Sequence, residues 1–128
     1  MRKQYHFRKS EQGLLAWDVH RLISLTQAIQ PRAVQLSDIR EVDESYWYDT
    51  EDPPPTCRDL IEHMQLVMAT DLAHPIILSP DGRVMDGMHR VAKAILHGHS
   101  EIMAVRLQAM PEPDYIGVDP AELPYDEA

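Results

Sequence analysis

The chain has 128 residues, which suits one domain, and 44% of them are apolar, which is enough for a core without disulfide bonds. Cys57 is the only cysteine, so an intramolecular disulfide, a Cys₂His₂ zinc site and a CxxC motif are excluded by count. The start is basic but has no apolar segment behind it, and no stretch approaches the length of a membrane span. We therefore expect a cytoplasmic protein with a single domain over residues 1–128, a core over 14–108 and an acidic, proline-rich tail over 109–128.

The net charge is −9 and is unevenly distributed. Residues 1–40 carry seven basic and three acidic side chains, whereas residues 101–128 carry one basic and seven acidic side chains. Duplex DNA binding depends on clustered lysines and arginines that neutralise phosphates, and only the first third of the chain has such an excess. DNA is therefore an unlikely partner.

The first third of the chain predicts one helix and one strand. Apolar residues recur at helical spacing over 14–29, and Pro31 forces the helix to stop. Residues 33–36 form a short strand candidate. Residues 41–55 fit neither period, because they combine carboxylates with the aromatic run 46–48 and three prolines, so we predict an ordered but irregular loop.

The middle of the chain predicts a second helix that begins at a capping box. Thr56 is followed three residues later by Asp59, and the prolines before it cannot continue as helix interior. Apolar residues then recur at spacings of three and four to about residue 72.

The next segment predicts a hairpin followed by a third helix and a last strand. Residues 76–78 form an apolar strand, and Ser79-Pro80-Asp81-Gly82 favours a type I turn that returns residues 83–85 antiparallel. Residues 88–97 have helical periodicity with Gly98 at the C′ position, and residues 101–107 form the last strand.

This order of elements predicts an α+β fold built around a small mixed sheet with packed helices. The helical and strand periods predict that one shared core contains Leu22, Leu60, Met64, Val67, Ile76, Leu78, Val91, Ile95 and Val105.

The segment Asp86-Gly87-Met88-His89-Arg90 lies where a strand turns into a helix. Backbone N–H groups and the positive end of the helix dipole coincide there, which favours an anion. Gly87 permits close approach, and Arg90 and Lys93 add donors suited to phosphate oxygens. The pattern predicts a phosphate site, although Asp86 has the simpler alternative role of an N-cap.

The sequence around this segment resembles the ParB/sulfiredoxin superfamily. In that superfamily a strand hairpin leads into a helix with the pattern G-x-[HR]-R-x-x-x-A, and here Gly87, His89, Arg90 and Ala94 match it. The preceding Pro75 and apolar strand match as well, and the similarity covers roughly residues 33–107. The resemblance implies a ParB/sulfiredoxin-like fold in a stand-alone bacterial member.

The resemblance also implies a nucleotide, because ParB proteins hold CTP and sulfiredoxin holds ATP at this motif. We expect a nucleoside triphosphate to be bound through the motif residues Gly87, Met88, His89, Arg90 and Lys93. Met88 stands where sulfiredoxin has its reactive cysteine, and a thioether cannot form a thiolate, so sulfiredoxin chemistry is excluded.

Asp86 and His89 are the candidate catalytic residues. A carboxylate beside a triphosphate is repelled unless a cation offsets it, so Asp86 is a candidate ligand for Mg²⁺. Asp86 is alternatively a general base, and His89 is a candidate for phosphate contact or proton transfer.

Three functions stay open at this point. The first is nucleotide binding with NTP hydrolysis or phosphoryl transfer. The second is a non-catalytic module that senses a nucleotide or docks a protein through the acidic tail or through Tyr46-Trp47-Tyr48. The third is a DNA-partition or nuclease-related protein, which the net charge disfavours.

Overall fold

A computed structural model describes residues 3–48 and 51–125. Parts of the predicted acidic loop (49–50) and of the predicted tail (126–128) lie outside the described residues. The helices are α1 (Val19–Leu25), α2 (Cys57–Ala69) and α3 (Met88–Leu96). The strands are β1 (Tyr5–Ser10), β2 (Gly13–Asp18), β3 (Arg32–Gln35), β4 (Ile76–Leu78), β5 (Val84–Asp86), β6 (Glu101–Arg106) and β7 (Tyr115–Ile116).

These elements form an α+β fold with two sheets. The larger sheet has the order β3-β6-β4-β5, and it is mixed because β4 and β6 run parallel while the other two pairs are antiparallel. The predicted α+β class and mixed sheet are thus confirmed. A second, antiparallel sheet with the order β1-β2-β7 was not predicted, and the ParB/sulfiredoxin-like arrangement stays a prediction.

The mixed sheet separates two apolar clusters. Neighbouring residues of β4 and β6 alternate between the clusters, as they must when a strand is covered on both faces. Ile76 and Ala104 pack with α3, whereas Ile77 and Val105 pack with Trp17 of β2 and with α1. The sheet therefore lies between α3 on one face and α1 with β2 on the other.

The prediction of one shared core is wrong, and so is the placement of three of its members. Leu60, Met64 and Ile95 are 44%, 61% and 41% exposed. Helical periodicity shows which residues share a side of a helix, but it does not show which side faces the sheet. The other predicted core residues are buried; Ile76, Leu78 and Val91 belong to one cluster, Leu22 and Val105 to the other, and Val67 to neither.

The predicted helix over 14–29 is confirmed only over Val19–Leu25. Residues 13–18 are strand β2, which pairs with β1 in the preceding segment and with β7 near the end of the chain. Helix α1 begins only at Val19, after Asp18 accepts a hydrogen bond from the His20 N–H as N-cap. A strand partner about a hundred residues away leaves no local trace in the sequence, so the apolar residues 14–17 were assigned to the helix.

The described parts of the acidic loop and of the tail make specific contacts with the rest of the domain. Glu41 is 4% exposed, and its carboxylate accepts the Val84 N–H at 2.5 Å, so it covers the free edge of β5. Trp17 donates to the Pro111 carbonyl at 2.8 Å, and Leu123 is buried. The described part of the tail therefore wraps the domain, and the core extends beyond 14–108.

The capping box of α2 is confirmed. The Thr56 hydroxyl accepts the Asp59 N–H at 3.1 Å, and the Asp59 carboxylate accepts the Thr56 N–H at 2.9 Å. The helix ends at Ala69, three residues before the predicted end. The hairpin, the strand over 33–36 and the helix after Gly87 also appear where they were predicted, to within one residue.

Replacing Thr56 by alanine should lower the free energy of unfolding by about 1 kcal/mol, because the alanine cannot accept the Asp59 N–H. Urea denaturation followed by circular dichroism measures this change. Thr56→Ser keeps the hydroxyl and should stay close to the parent. Equal losses in both variants would contradict a capping role.

Candidate functional site

The predicted motif occupies a tight turn between β5 and α3. Strand β5 ends at Asp86, and Gly87 is the N-cap of α3 in the left-handed conformation, with φ of 108°. A Cβ at this position would lie 2.6 Å from Ile76 Cγ2 and 2.9 Å from Arg90 Nη2. Both the backbone angle and the space therefore require glycine.

Asp86 does not serve as the N-cap, because its carboxylate is paired with Arg90. Arg90 Nη2 donates to Asp86 Oδ2 at 2.8 Å, four residues back along the chain. Arg90 Nη1 donates to the carbonyls of His74 and Pro75 at 2.9 and 2.8 Å. Arg90 thus ties the start of α3 to the end of β5 and to the segment that enters β4.

The Asp86–Arg90 pair lies on the wall of a cavity of about 680 Å³. This volume is within the range of about 300–1,000 Å³ that is usual for small-molecule sites. The cavity opens between α1, the segment that follows α1 and the 70–75 segment, and β4 and β6 form part of its wall. Its apolar lining includes Val19, Ile23, Ile29, Ile77 and Val105, and its polar lining includes Gln4, His20, Gln27, Thr70, Asp71 and His74.

Arg90 is the one arginine or lysine among the described residues that line the cavity. The three hydrogen bonds of Arg90 use three of the five N–H groups of a guanidinium, so two remain by count. His20 and His74 add ring nitrogens to the same wall. Asp71 and Asp86 contribute two carboxylates, and an anionic ligand would need an accompanying cation to approach them.

Those two carboxylates suit Mg²⁺ but do not form a metal site alone. Mg²⁺ is usually held by one or two carboxylates together with phosphate oxygens and waters. Within residues 3–48 and 51–125, no group of three or more His, Cys, Asp or Glu side chains could hold a metal ion. The ion would therefore have to enter with a ligand that supplies its own oxygens.

His89 lies outside the cavity lining and contacts a different group of side chains. Its ring stacks on Trp47 with a centroid distance of 5.1 Å and an interplanar angle of 14°. Its Nε2 lies 3.4 Å from Nδ1 of His63 in α2. Burial is the main cause that lowers the pKa of His89, and the neighbouring His63 adds to it. The Asp86 carboxylate opposes that shift. This environment favours the neutral form of His89, whose ring is held between Trp47 and His63.

The aromatic run over 46–48 crosses the start of α3. Trp47 packs on both His63 and His89, and Tyr48 meets the His63 ring edge-on at 5.2 Å. Burial raises the pKa of Tyr46 to about 12, and the Glu41 and Asp86 carboxylates add to that rise. Trp47 and Tyr48 therefore pack against His63 of α2, and Trp47 also stacks on His89 of α3, whereas Tyr46 is 36% exposed.

The remaining predicted site residues have structural contacts. Met88 is buried in the cluster between α3 and the sheet. Lys93 donates to the carbonyls of Met68 and Thr70 at 3.0 and 2.7 Å, and it thereby satisfies the last turn of α2. The structure thus places Asp86 and Arg90 at the cavity, with Gly87 in the turn between them but outside the lining, and it places Met88, His89 and Lys93 elsewhere around α3.

Sequence analysis did not identify the opposite wall of the cavity. His20, Gln27, Thr70 and Asp71 line it, and they come from two segments about 45 residues apart. No sequence motif links the two segments, because they become neighbours only when the mixed sheet forms. One local signal was present for this wall: His74 precedes a proline, which predicts extended backbone at the entry into β4.

The sequence matches no protein-family model, no curated protein and no solved structure. The resemblance to the ParB/sulfiredoxin superfamily therefore rests on the motif residues alone, and the family stays a proposal. Within the described part of the chain, no helix is long and apolar enough to cross a membrane.

Proposed function

We propose that this chain is a ParB/sulfiredoxin-like domain that binds a nucleoside triphosphate, ATP or CTP, in the cavity beside Asp86 and Arg90. The observation that carries the proposal is the position of this pair on the wall of a cavity of about 680 Å³, at the first turn of α3. Apolar residues of α1 and the sheet suit the base and sugar of a nucleotide. The two remaining N–H groups of Arg90 suit its phosphate oxygens.

Mg²⁺ accompanies the triphosphate in this proposal. Asp71 and Asp86 both line the cavity, and they would repel bare phosphates. A magnesium ion that bridges a carboxylate and phosphate oxygens removes this repulsion. Nucleotide affinity should therefore depend on magnesium.

The proposal concerns nucleotide binding, and nucleotide hydrolysis is a separate property. The two candidate catalytic residues lie apart, because Asp86 lines the cavity while His89 stacks on Trp47. Asp86 also accepts a hydrogen bond from Arg90. These contacts favour a nucleotide-binding or nucleotide-sensing module over an enzyme, and a single-turnover assay of phosphate release distinguishes the two.

The binding claim is tested by placing a negative charge on the cavity wall. Ile23 of α1 lines the cavity and is 40% exposed, so Ile23→Glu should fold normally. Repulsion between two charges about 8 Å apart is on the order of 2 kcal/mol at an effective dielectric constant of about 20. Affinity for Mg²⁺-ATP or Mg²⁺-CTP, measured by calorimetry, should fall about tenfold or more.

The matched control is Leu25→Glu on the same helix. Leu25 is exposed to a similar degree and is not part of the cavity lining. Its affinity should stay within about twofold of the parent, since a distant surface charge is screened by salt. Equal weakening in both variants, or no nucleotide binding by the parent, would contradict the proposal.

A further inference from the structure

Helix α2 presents an unusual amount of apolar surface. Of its thirteen residues only Val67 is buried, although the helix carries several large apolar side chains. Leu60, Ile61, Met64 and Met68 are 44%, 54%, 61% and 67% exposed. Contiguous apolar surface of this kind marks an interaction site in soluble proteins.

These four side chains form one stripe along the helix. Positions 61, 64 and 68 follow spacings of three and four, and Leu60 lies one turn before Met64. This is the seam with which an α-helix packs against another helix. The adjoining side of α2 carries His63, which lies against His89 of α3, and the buried Val67.

Helix α3 extends the apolar surface beside the last turn of α2. Leu96 is 71% exposed. It follows the side of α3 that carries His89 and Lys93, and both of those residues contact α2. Leu96 therefore adds exposed apolar surface on the side of α3 that contacts α2.

The charges around the stripe are mainly acidic. Residues 51–71 carry five carboxylates and one arginine, Arg58. Glu51 and Asp52 precede the helix, Glu62 lies within it, and Asp71 follows it; all four are exposed. A second copy of this chain would bring the same negative surplus to the interface, whereas a basic partner would be attracted.

We propose that the stripe formed by Leu60, Ile61, Met64 and Met68 is a docking surface for an amphipathic helix with basic flanks. Apolar side chains of the partner at helical spacing pack on the stripe, and its lysines or arginines meet the surrounding carboxylates. Methionine suits such a surface, because its flexible thioether adapts to different partners. This surface is distinct from the nucleotide cavity, whose lining contains none of the four stripe residues.

The test uses the full chain and a synthetic peptide of about 14 residues, built from leucines at helical spacing with lysines between them. Fluorescence anisotropy of the labelled peptide gives its affinity. The double variant M64Q/M68Q should weaken binding about tenfold or more, and both positions are exposed, so the fold should be retained. Circular dichroism checks that retention.

Two controls isolate the stripe and its charge. Met103→Gln removes a methionine that is 46% exposed on β6 and should change the affinity by less than about twofold. A peptide with glutamates in place of the lysines should bind about tenfold more weakly or worse. The lysine peptide should lose affinity as salt rises from roughly 0.05 to 0.5 M.

Three results would overturn the proposal. The first is no binding of the lysine peptide, and the second is binding that M64Q/M68Q and Met103→Gln weaken equally. The third is self-association of the parent chain that M64Q/M68Q abolishes, which would make a second copy the occupant. None of these depends on nucleotide, so failure here leaves the proposed nucleotide site untouched.

Discussion

Replacing Arg90 by alanine should lower the free energy of unfolding by about 2–4 kcal/mol, because the variant loses three hydrogen bonds of a largely buried guanidinium. The carbonyls of His74 and Pro75 lose their charged donor, and the Asp86 carboxylate loses its partner. Urea denaturation measures the change. Arg58→Ala, on the exposed surface of α2, is the control and should stay within about 0.5 kcal/mol of the parent.

The same substitution should abolish measurable nucleotide binding in the proposed site, so stability and binding must be separated. Asp86→Asn does this, because asparagine keeps an oxygen for Arg90 but removes the negative charge. Its cost in stability should be about 1 kcal/mol. Magnesium-dependent nucleotide affinity should fall in this variant, while magnesium-free affinity should stay equal or rise, since a charge beside the phosphates is gone.

Several outcomes would count against these expectations. A stability loss below about 0.5 kcal/mol in Arg90→Ala would mean that its hydrogen bonds contribute little in solution. Unchanged nucleotide affinity in Asp86→Asn, with and without magnesium, would leave Asp86 as the structural partner of Arg90 alone.

The elements that were predicted correctly have their signals within a few residues. The Thr56 and Asp59 capping box marks the start of α2, and Ser79-Pro80-Asp81-Gly82 marks the hairpin turn. Gly98 follows α3 with φ of 78°. Each signal is a local backbone requirement, so it is visible without knowledge of the fold.

The elements that were missed depend on partners far away in the chain. Strand β2 pairs with β7, which lies about a hundred residues later. One local signal indicates the true start of α1: Asp18 is a favourable N-cap residue directly before Val19. In α2 the apolar period was detected and Val67 is buried as predicted, but Leu60 and Met64 were predicted to be buried and are exposed.

The candidate site also combines features that local sequence predicts with features that depend on distant parts of the chain. The turn at Gly87 is a local feature of the sequence, and Arg90 reaches back to Asp86 at the end of β5 because only that turn separates the strand from α3. The separation of His89 from Arg90 also follows, in retrospect, from the roughly 100° between successive helix positions. The cavity beyond Arg90 does not follow, because α1 reaches it only through the packing of both sheets.

Replacing Gly87 by alanine should be the most damaging single methyl addition in this site, with a loss of about 2–5 kcal/mol. Its φ of 108° costs an L residue about 1–2 kcal/mol. The added Cβ would also lie 2.6 Å from Cγ2 of Ile76, which is fully buried, and relief of that overlap costs about 1–3 kcal/mol more.

Gly98→Ala is the matched control, because Gly98 also has a left-handed φ, of 78°, but a Cβ there would meet nothing within 4 Å. It should cost only the backbone penalty of about 1–2 kcal/mol. The difference between the two variants in urea denaturation therefore measures the crowding at the start of α3. A Cβ at Gly87 would also lie 2.9 Å from Arg90 Nη2, so the alanine should displace the guanidinium and weaken nucleotide binding, which Gly98→Ala should leave intact. Equal stability losses in the two variants would show that Ile76 yields freely, and the close packing at Gly87 would then not be what requires glycine there.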